Sequence, residues 1–156
     1  NLLWRHSNHN NLISVIIKWI MSLEQDVNWN EIESLIKILS KKILKLPVSF
    51  SSITTVSRGG LIPSRLLADH LGIKTIFVDK KKIFSESLFV DDIFDTGDTF
   101  KKIISKTDIP SKLTFVTLFA RRGKKYPQNL LYAKKTNDDG YVVFPWDKLE
   151  FQNSKK

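Results

Sequence analysis

An α/β fold, a parallel sheet with helices on both faces, is what the sequence predicts. Three observations carry that expectation. Short runs of four to six mostly apolar residues, rich in β-branched and aromatic types, alternate with segments of helical periodicity. Two of these runs stop abruptly in polar, glycine-containing loops that open the next helix. Finally, the 156 residues, 42% hydrophobic and 26% charged, suffice to bury one core and match neither a disordered nor a membrane protein.

Taken in order, residues 1–20 form a lead-in, polar with Asn and His at first and then apolar over "LISVIIKWI" at 12–20. That run is far short of the ~20 residues that span a bilayer, and no small-residue cleavage site follows. The expectation is a peripheral extension, with no membrane span and no signal peptide, Met21 as the natural start, and a single domain over 21–156. Asn30 with Glu33 resembles a capping box, and Ile32, Leu35, Ile36, Leu39 and Ile43 recur at helical spacing, which predicts a helix over 30–45. After Pro47, "SITTVS" reads as a strand. "LIPSRLLADHLG" reads as a helix with Pro63 in its first turn and Gly72 as its stop. "KTIFVD", "SLFVDD" and "LTFVTLFA" are the next three strands, with a helix from Thr99 between the last two that turns Phe100, Ile103 and Ile104 inward. Residues 124–140 are the least periodic and are expected to wrap an edge. No internal repeat, low-complexity tract or linker is present.

Cysteine is absent, which excludes disulfides, thiolate metal sites and a cysteine nucleophile, and accords with a reducing, cytoplasmic setting. A net charge of +9, from 25 Lys and Arg against 16 Asp and Glu, favours anionic partners. The basic residues lie in short scattered runs, "KKILK", "KKK" and "RRGKK". No helix gathers them into a stripe, so they read as solvated surface rather than a nucleic-acid face.

The chemistry sits in two loops at strand ends, where ligands bind in open α/β sheets. "SITTVS" runs into Arg58-Gly59-Gly60, a cationic fork beside two residues that let a ligand approach the backbone, which suits pyrophosphate. "SLFV" runs into Asp91-Asp92, followed by Asp95-Thr96-Gly97-Asp98-Thr99 at the start of a helix. This second turn offers backbone N–H groups and hydroxyls to a phosphate. Adjacent residues of a strand point to opposite sides, so at least one of Asp91 and Asp92 faces the cleft, where a carboxylate accepts from sugar hydroxyls or binds Mg²⁺. Acids beside a phosphate repel it unless a metal or hydroxyls intervene, so the pattern points to a phosphorylated sugar with a metal. Neither a nucleoside-triphosphate loop nor a dinucleotide fingerprint is present. An EF-hand fails because Phe94 takes its third ligand position, and His6, His9 and His70 lack ligand spacing.

"LFVDDIFDTGDT" resembles the phosphoribosyl pyrophosphate signature of the type I phosphoribosyltransferases. "ITTVSRGGLIPSRLLADHLGI", "FVTLFAR" and "VVFPWD" resemble the pyrophosphate loop and its helix, the next strand and the base-binding segment of their purine-acting bacterial members. The likeness runs from about Val27 to Asp147. It implies the type I phosphoribosyltransferase fold and transfer of the 5-phosphoribosyl group from phosphoribosyl pyrophosphate to guanine, xanthine or hypoxanthine. The products would be a nucleoside 5′-monophosphate and pyrophosphate, made by a homodimer or homotetramer. Residue by residue, it implies that Ser57, Arg58, Gly59 and Gly60 hold pyrophosphate, with a non-proline cis peptide possible there. Asp91 and Asp92 bind the ribose hydroxyls and Mg²⁺, Asp95 accepts a proton near the purine N7, and Thr96, Gly97, Asp98 and Thr99 wrap the 5′-phosphate. Arg121 stands where the family has a lysine on the purine 6-oxo group, Tyr141 where an aromatic residue stacks on the base, and the Val142 backbone where its edge is read; Arg58 and Asp95 are the implied catalytic pair. The chain departs from the family in one place. A long loop that closes over the reacting atoms is reduced here to "KKKIFSE", 80–86, so the alternative expectation is a non-catalytic regulatory protein that binds phosphoribosyl pyrophosphate or a nucleotide.

Overall fold

The computed structural model describes residues 11–17, 19 and 24–154. Contacts divide them into two compact units, a larger one of residues 28–136 and a smaller one combining residues up to 27 with those from 137 onward.

The larger unit is a five-stranded, all-parallel sheet with helices against it. Its elements are α1 (Trp29–Leu44), β2 (Ser52–Thr55), α2 (Leu61–Leu71), β3 (Thr75–Val78), β4 (Leu88–Phe94), α3 (Asp98–Ile104), β5 (Phe115–Ala120) and β6 (Leu130–Lys135); β1 (Glu24–Asp26) belongs to the smaller unit. The strand order is β3-β2-β4-β5-β6, which puts β2 and β4 side by side near the centre. The expected helix over 30–45 forms one residue early. Its N-cap is Asn28, whose Oδ1 accepts from Glu31 N at 2.9 Å, and not Asn30; a cap of this kind contributes about 1 kcal/mol. α2 follows the expectation, with Gly72 closing it in the left-handed conformation at φ 69°.

Two expectations need correction. β4 does not end at the acids: it runs through Asp91 and Asp92 to Phe94, because Ile93 and Phe94 still pair with Phe119 and Ala120 of β5. Residues 124–140 also contain a strand. β6 pairs in parallel with β5 along the sheet edge and meets α1, where Lys42 Nζ donates to Tyr132 O at 2.7 Å.

α1 and α2 pack on one face, α2 against β2 and β4 and α1 against β5 and β6. On the other face Phe89 and Phe115, register partners on β4 and β5, stack at 4.8 Å, and Ile83, Ile103 and Leu113 close over them. Phe100 and Ile104 join that cluster, so α3 turns inward the three residues expected. Ile83 also fastens the short 80–86 segment to the core. Its N–H donates to Lys106 O and its carbonyl accepts from Asp108 N, both at 3.0 Å, while Ser85 N donates to the Asp108 carboxylate at 2.8 Å.

In the smaller unit β1 (Glu24–Asp26) pairs in parallel with β7 (Tyr141–Val143), and α4 (Lys148–Ser154) follows. Residues 11–17 are helical, with Leu12, Ile13, Val15, Ile16 and Ile17 exposed; the rest of the expected extension lies outside the described residues. Among the described residues no helix is long and apolar enough to cross a membrane.

Candidate active site

β2 and β4 are neighbours registered Thr55 to Val90, so the loops that follow them leave the sheet side by side. How closely they run is read from the glycines. A Cβ on Gly60 would collide with Thr55 Oγ1 and stand 2.8 Å from Val90 O, and one on Gly59 would stand 2.7 Å from Asp92 Oδ2. The Ser57–Gly60 loop therefore lies in contact with the end of β4, and the acid pair is one wall of the same cleft. The Ser57–Arg58 peptide bond is cis.

Asp91 and Asp92 are successive residues of the strand, so their Cβ bonds leave opposite sides, yet at the strand end their carboxyl groups come within hydrogen-bonding reach of each other. Asp91 is only 6% exposed. Burial, and next the Asp92 carboxylate beside it, hold its carboxyl well above the usual range; burial also raises that of Asp92, against hydrogen bonds that pull it down. Such a pair is poorly served by protein alone and well served by a hard cation. Two carboxylates of this kind accept Mg²⁺ when substrate and water oxygens complete its shell. Among the described residues no group of three or more His, Cys, Asp or Glu gathers that could hold a metal, so further ligands would have to come from outside the chain.

Beyond β4 the chain turns at Asp95 to Thr99. Gly97 takes φ 88°, a conformation strained for any side chain, and a Cβ there would press on the Phe94 ring at 3.2 Å. Thr96 Oγ1 accepts from Asp98 N at 3.3 Å. The turn and the end of β4 enclose a cavity of about 150 Å³, walled by Asp91 to Phe100 with Phe115 at its base.

Two relations were not legible in the sequence. Arg121 follows Ala120, and Asp95 follows Phe94; because Phe94 and Ala120 are register partners, the two side chains emerge together. Arg121 Nε and Nη2 reach the two carboxylate oxygens of Asp95 at 3.0 and 3.3 Å, a two-point pair with Arg121 buried and Asp95 half exposed. Asp79, just after β3, holds the Ser57–Gly60 loop in place. Its carboxylate accepts from Ser57 N at 2.8 Å and from Ser57 Oγ, and these bonds lower its pKa. It does so from a left-handed conformation, φ 54°, that Asp and Asn tolerate better than most residues.

The structure thus brings Ser57, Arg58, Gly59, Gly60, Asp91, Asp92, Asp95 to Thr99 and Arg121 into the larger unit at the carboxyl ends of β2, β4 and β5. Tyr141 and Val142 belong to the smaller unit. There Tyr141, 56% exposed, stacks on Phe151 at 5.3 Å, and Val142 is registered to Gln25 across the two-stranded sheet. Trp146 stacks on Phe144 at 4.8 Å.

No family model matches the chain. It is 24% identical over 139 residues, 78% of its own length and 82% of the relative's, to a xanthine-guanine phosphoribosyltransferase of Chromohalobacter salexigens. Among solved structures it resembles a purine phosphoribosyltransferase of Pyrococcus horikoshii, with a TM-score of 0.64 and 21% identity over 80% of this chain and 93% of the other. It also resembles a hypothetical protein of Neisseria gonorrhoeae with bound ppGpp, with a TM-score of 0.63 and 19% identity over 86% and 94%. A five-stranded parallel sheet in the order β3-β2-β4-β5-β6, with these loops at its carboxyl ends, is a type I phosphoribosyltransferase fold, carried by a sequence similar to those of xanthine-guanine phosphoribosyltransferases.

Proposed function

We propose that the chain transfers the 5-phosphoribosyl group of phosphoribosyl pyrophosphate to a purine base, giving a nucleoside 5′-monophosphate and pyrophosphate. The observation that carries this reading is the buried Asp91–Asp92 pair, with the Ser57–Gly60 loop packed against one carboxylate and the 95–99 turn closing the cavity beside it. A ribose whose two hydroxyls meet Asp91 and Asp92 would extend its 5′-phosphate into the Thr96–Thr99 turn and its pyrophosphate toward Ser57 and Arg58. Bound Mg²⁺ would neutralise the pyrophosphate as it leaves. Arg58 adds a fixed positive charge on the same group. Asp95, oriented by Arg121, accepts the proton that the base nitrogen loses as its bond to C1 forms and the C1–oxygen bond to pyrophosphate breaks. Guanine and xanthine are the substrates proposed because the Chromohalobacter relative acts on them by name, and hypoxanthine is added as a purine with the same 6-oxo group. The test is pyrophosphate release on incubation with phosphoribosyl pyrophosphate, Mg²⁺ and each base in turn. Release with at least one, abolished when Mg²⁺ is omitted, is the expected result; silence with all three overturns the proposal.

Asp79 gives an independent check on the loop. Asp79→Ala is expected to raise KM for phosphoribosyl pyrophosphate about 10-fold, the loss of one to two charge-assisted hydrogen bonds to Ser57, while the melting temperature falls by only a few degrees, because Ala tolerates the left-handed conformation less well. Asp79→Asn, which tolerates the same φ and keeps one acceptor, should lose less. The pH dependence has a definite sign. A carboxyl whose pKa is lowered on folding stabilises the loop throughout the neutral range and loses that hold only as pH falls through the lowered value. Steady-state kinetics across the acid-to-neutral range that show KM rising toward neutrality in wild type would contradict this anchor.

A second reading, binding without turnover, is favoured by one observation. The 80–86 segment is tied through Ile83 and Ser85 to residues 106 and 108, so it is not a free flap that could close over substrate. Calorimetric binding of phosphoribosyl pyrophosphate, together with no release from any base, would decide for it.

A further inference from the structure

The step from β3 to β4 is short for its place in the fold. Parallel strands are joined by a crossover of about a dozen residues or more, usually a helix that covers one face of the sheet. Residues 79–87 make this step past β2 and, among the described residues, contain no helix. On that face α3 covers Phe89 and Phe115. Toward the β3 edge the face opens instead into a cavity of about 460 Å³, with Ser52, Thr54 and Phe77 on its sheet side and Phe84 and Ser87 on the side of the connection.

The sheet side of this cavity holds a hydroxyl proton with no acceptor. Ser52 Oγ donates to Ser87 Oγ at 2.9 Å, and Ser87 Oγ and Thr54 Oγ1 share one bond of 2.7 Å, whichever of them donates. Each hydroxyl brings one proton, so these two bonds leave one of the three unused. That proton belongs to Thr54 or Ser87, both only 3% exposed, and neither has another acceptor among the described residues. A buried donor in this state is unfavourable until something in the cavity accepts from it. Phe77 and Phe84, 40% and 48% exposed, add two apolar walls. Each ring also holds an ammonium group: Lys80 Nζ lies 5.5 Å from the Phe77 centroid and Lys82 Nζ 5.4 Å from that of Phe84. Between Lys82 and Phe84, Ile83 is locked in the core with both of its backbone groups bonded, which fixes this rim. Glu86 is the one acid on the lining against Lys80, Lys81 and Lys82.

We propose that this cavity is a nucleoside monophosphate site, separate from the substrate cleft. The base sets a carbonyl oxygen or ring nitrogen on the unpaired hydroxyl and its ring against Phe77 and Phe84, and the phosphate meets Lys80 and Lys82. An inorganic anion would leave the rings and the hydroxyl unused, and an uncharged base would leave the ammonium groups unmatched. The volume suits a ligand of this size. None of the lining residues is shared with the cavity at the 95–99 turn, so each can be filled on its own. The assignment therefore stands or falls apart from phosphoribosyl transfer.

Two-dimensional ¹H–¹⁵N NMR of the full chain locates the ligand directly. The probe is uridine 5′-monophosphate, because a pyrimidine nucleotide is not the product of a purine transfer. Saturable shifts are expected at the amides of Thr54, Phe77, Phe84 and Ser87. Uridine, which lacks the phosphate, and phenyl phosphate, which lacks the base acceptor, should each bind at least about 10-fold more weakly. Phe84→Ser combined with Lys82→Gln changes two exposed side chains and should remove the response while the remaining spectrum keeps its dispersion; Lys82→Gln alone should weaken it. Shifts confined to 95–99, or no saturable shift, overturn the proposal. So does a response that survives the double variant, or equal binding of uridine or phenyl phosphate.

Discussion

Asp91→Asn combined with Asp92→Asn is expected to lower the rate of pyrophosphate release by roughly 100- to 1,000-fold and, at the same time, to make the protein more stable. The two effects have one cause. Burial disfavours both carboxylates as anions and the Asp92 charge disfavours Asp91 further, so the folded chain carries a cost that a cation or substrate offsets. Neutral amides of the same shape remove that cost; a side-chain amide oxygen at position 91 could still accept from the next backbone N–H, as the Asp91 oxygen does at 2.9 Å. A gain on the order of 1 kcal/mol would raise the melting temperature by about 2–4 °C in a chain of this length. Melting curves with and without Mg²⁺ separate this from an ordinary core effect. Wild type should gain stability on addition of Mg²⁺, and the double variant should not. A variant that melts lower than wild type, or keeps its activity, would show that the acids are structural.

What the sequence revealed and what it hid divide along a physical line. Features set by neighbours within a few residues were legible: the apolar strands, Pro63 and Gly72 at the ends of α2, and the two polar loops that follow β2 and β4, since each holds its own glycines and polar groups in one continuous stretch. Features that depend on contacts distant in sequence were not. β6 reads as irregular because "LLYAKK" is half-exposed at a sheet edge and ends in two lysines, so neither an unbroken apolar run nor clean alternation marks it. Asn30 has the capping-box spacing to Glu33, and only the geometry of a hydrogen bond to Glu31 shows Asn28 to be the cap. In the site, Asp79 is 22 residues from the Ser57 it holds and Arg121 is 26 from Asp95, distances at which no local pattern announces a pair. The strand running on through Asp91 and Asp92 is a further case: adjacent acids end a strand by composition, and here register with β5 overrides them.

Neighbouring glycines in the first loop are expected to fail in different ways when each is replaced by alanine. Gly60 has helical dihedrals, φ −84° and ψ −7°, so Gly60→Ala introduces no backbone strain and acts through space alone. Its methyl would run into Thr55 Oγ1 and fall 2.8 Å from Val90 O. Thr55 is fully buried and donates to that same carbonyl, so the side chain has nowhere to turn and the backbone cannot yield without parting β2 from β4. Overpacking of this kind costs about 1–3 kcal/mol, and the melting temperature should drop by roughly 2–12 °C. Gly59→Ala meets a side chain instead, with its methyl 2.7 Å from Asp92 Oδ2 and 2.9 Å from Cγ, so the whole Asp92 carboxyl must swing aside, away from the Ile93 N–H that donates to it at 2.8 Å. Melting should change little, while affinity for phosphoribosyl pyrophosphate with Mg²⁺ falls about 10-fold because Asp92 has moved. Coupling between the two sites decides whether that explanation is right. If Gly59→Ala acts through Asp92, adding it to Asp92→Asn should cost almost nothing further in affinity, whereas independent effects would add. Additive losses would mean that Gly59 serves the ligand directly through its backbone, and that the contact between the first loop and the acids is packing without consequence for binding.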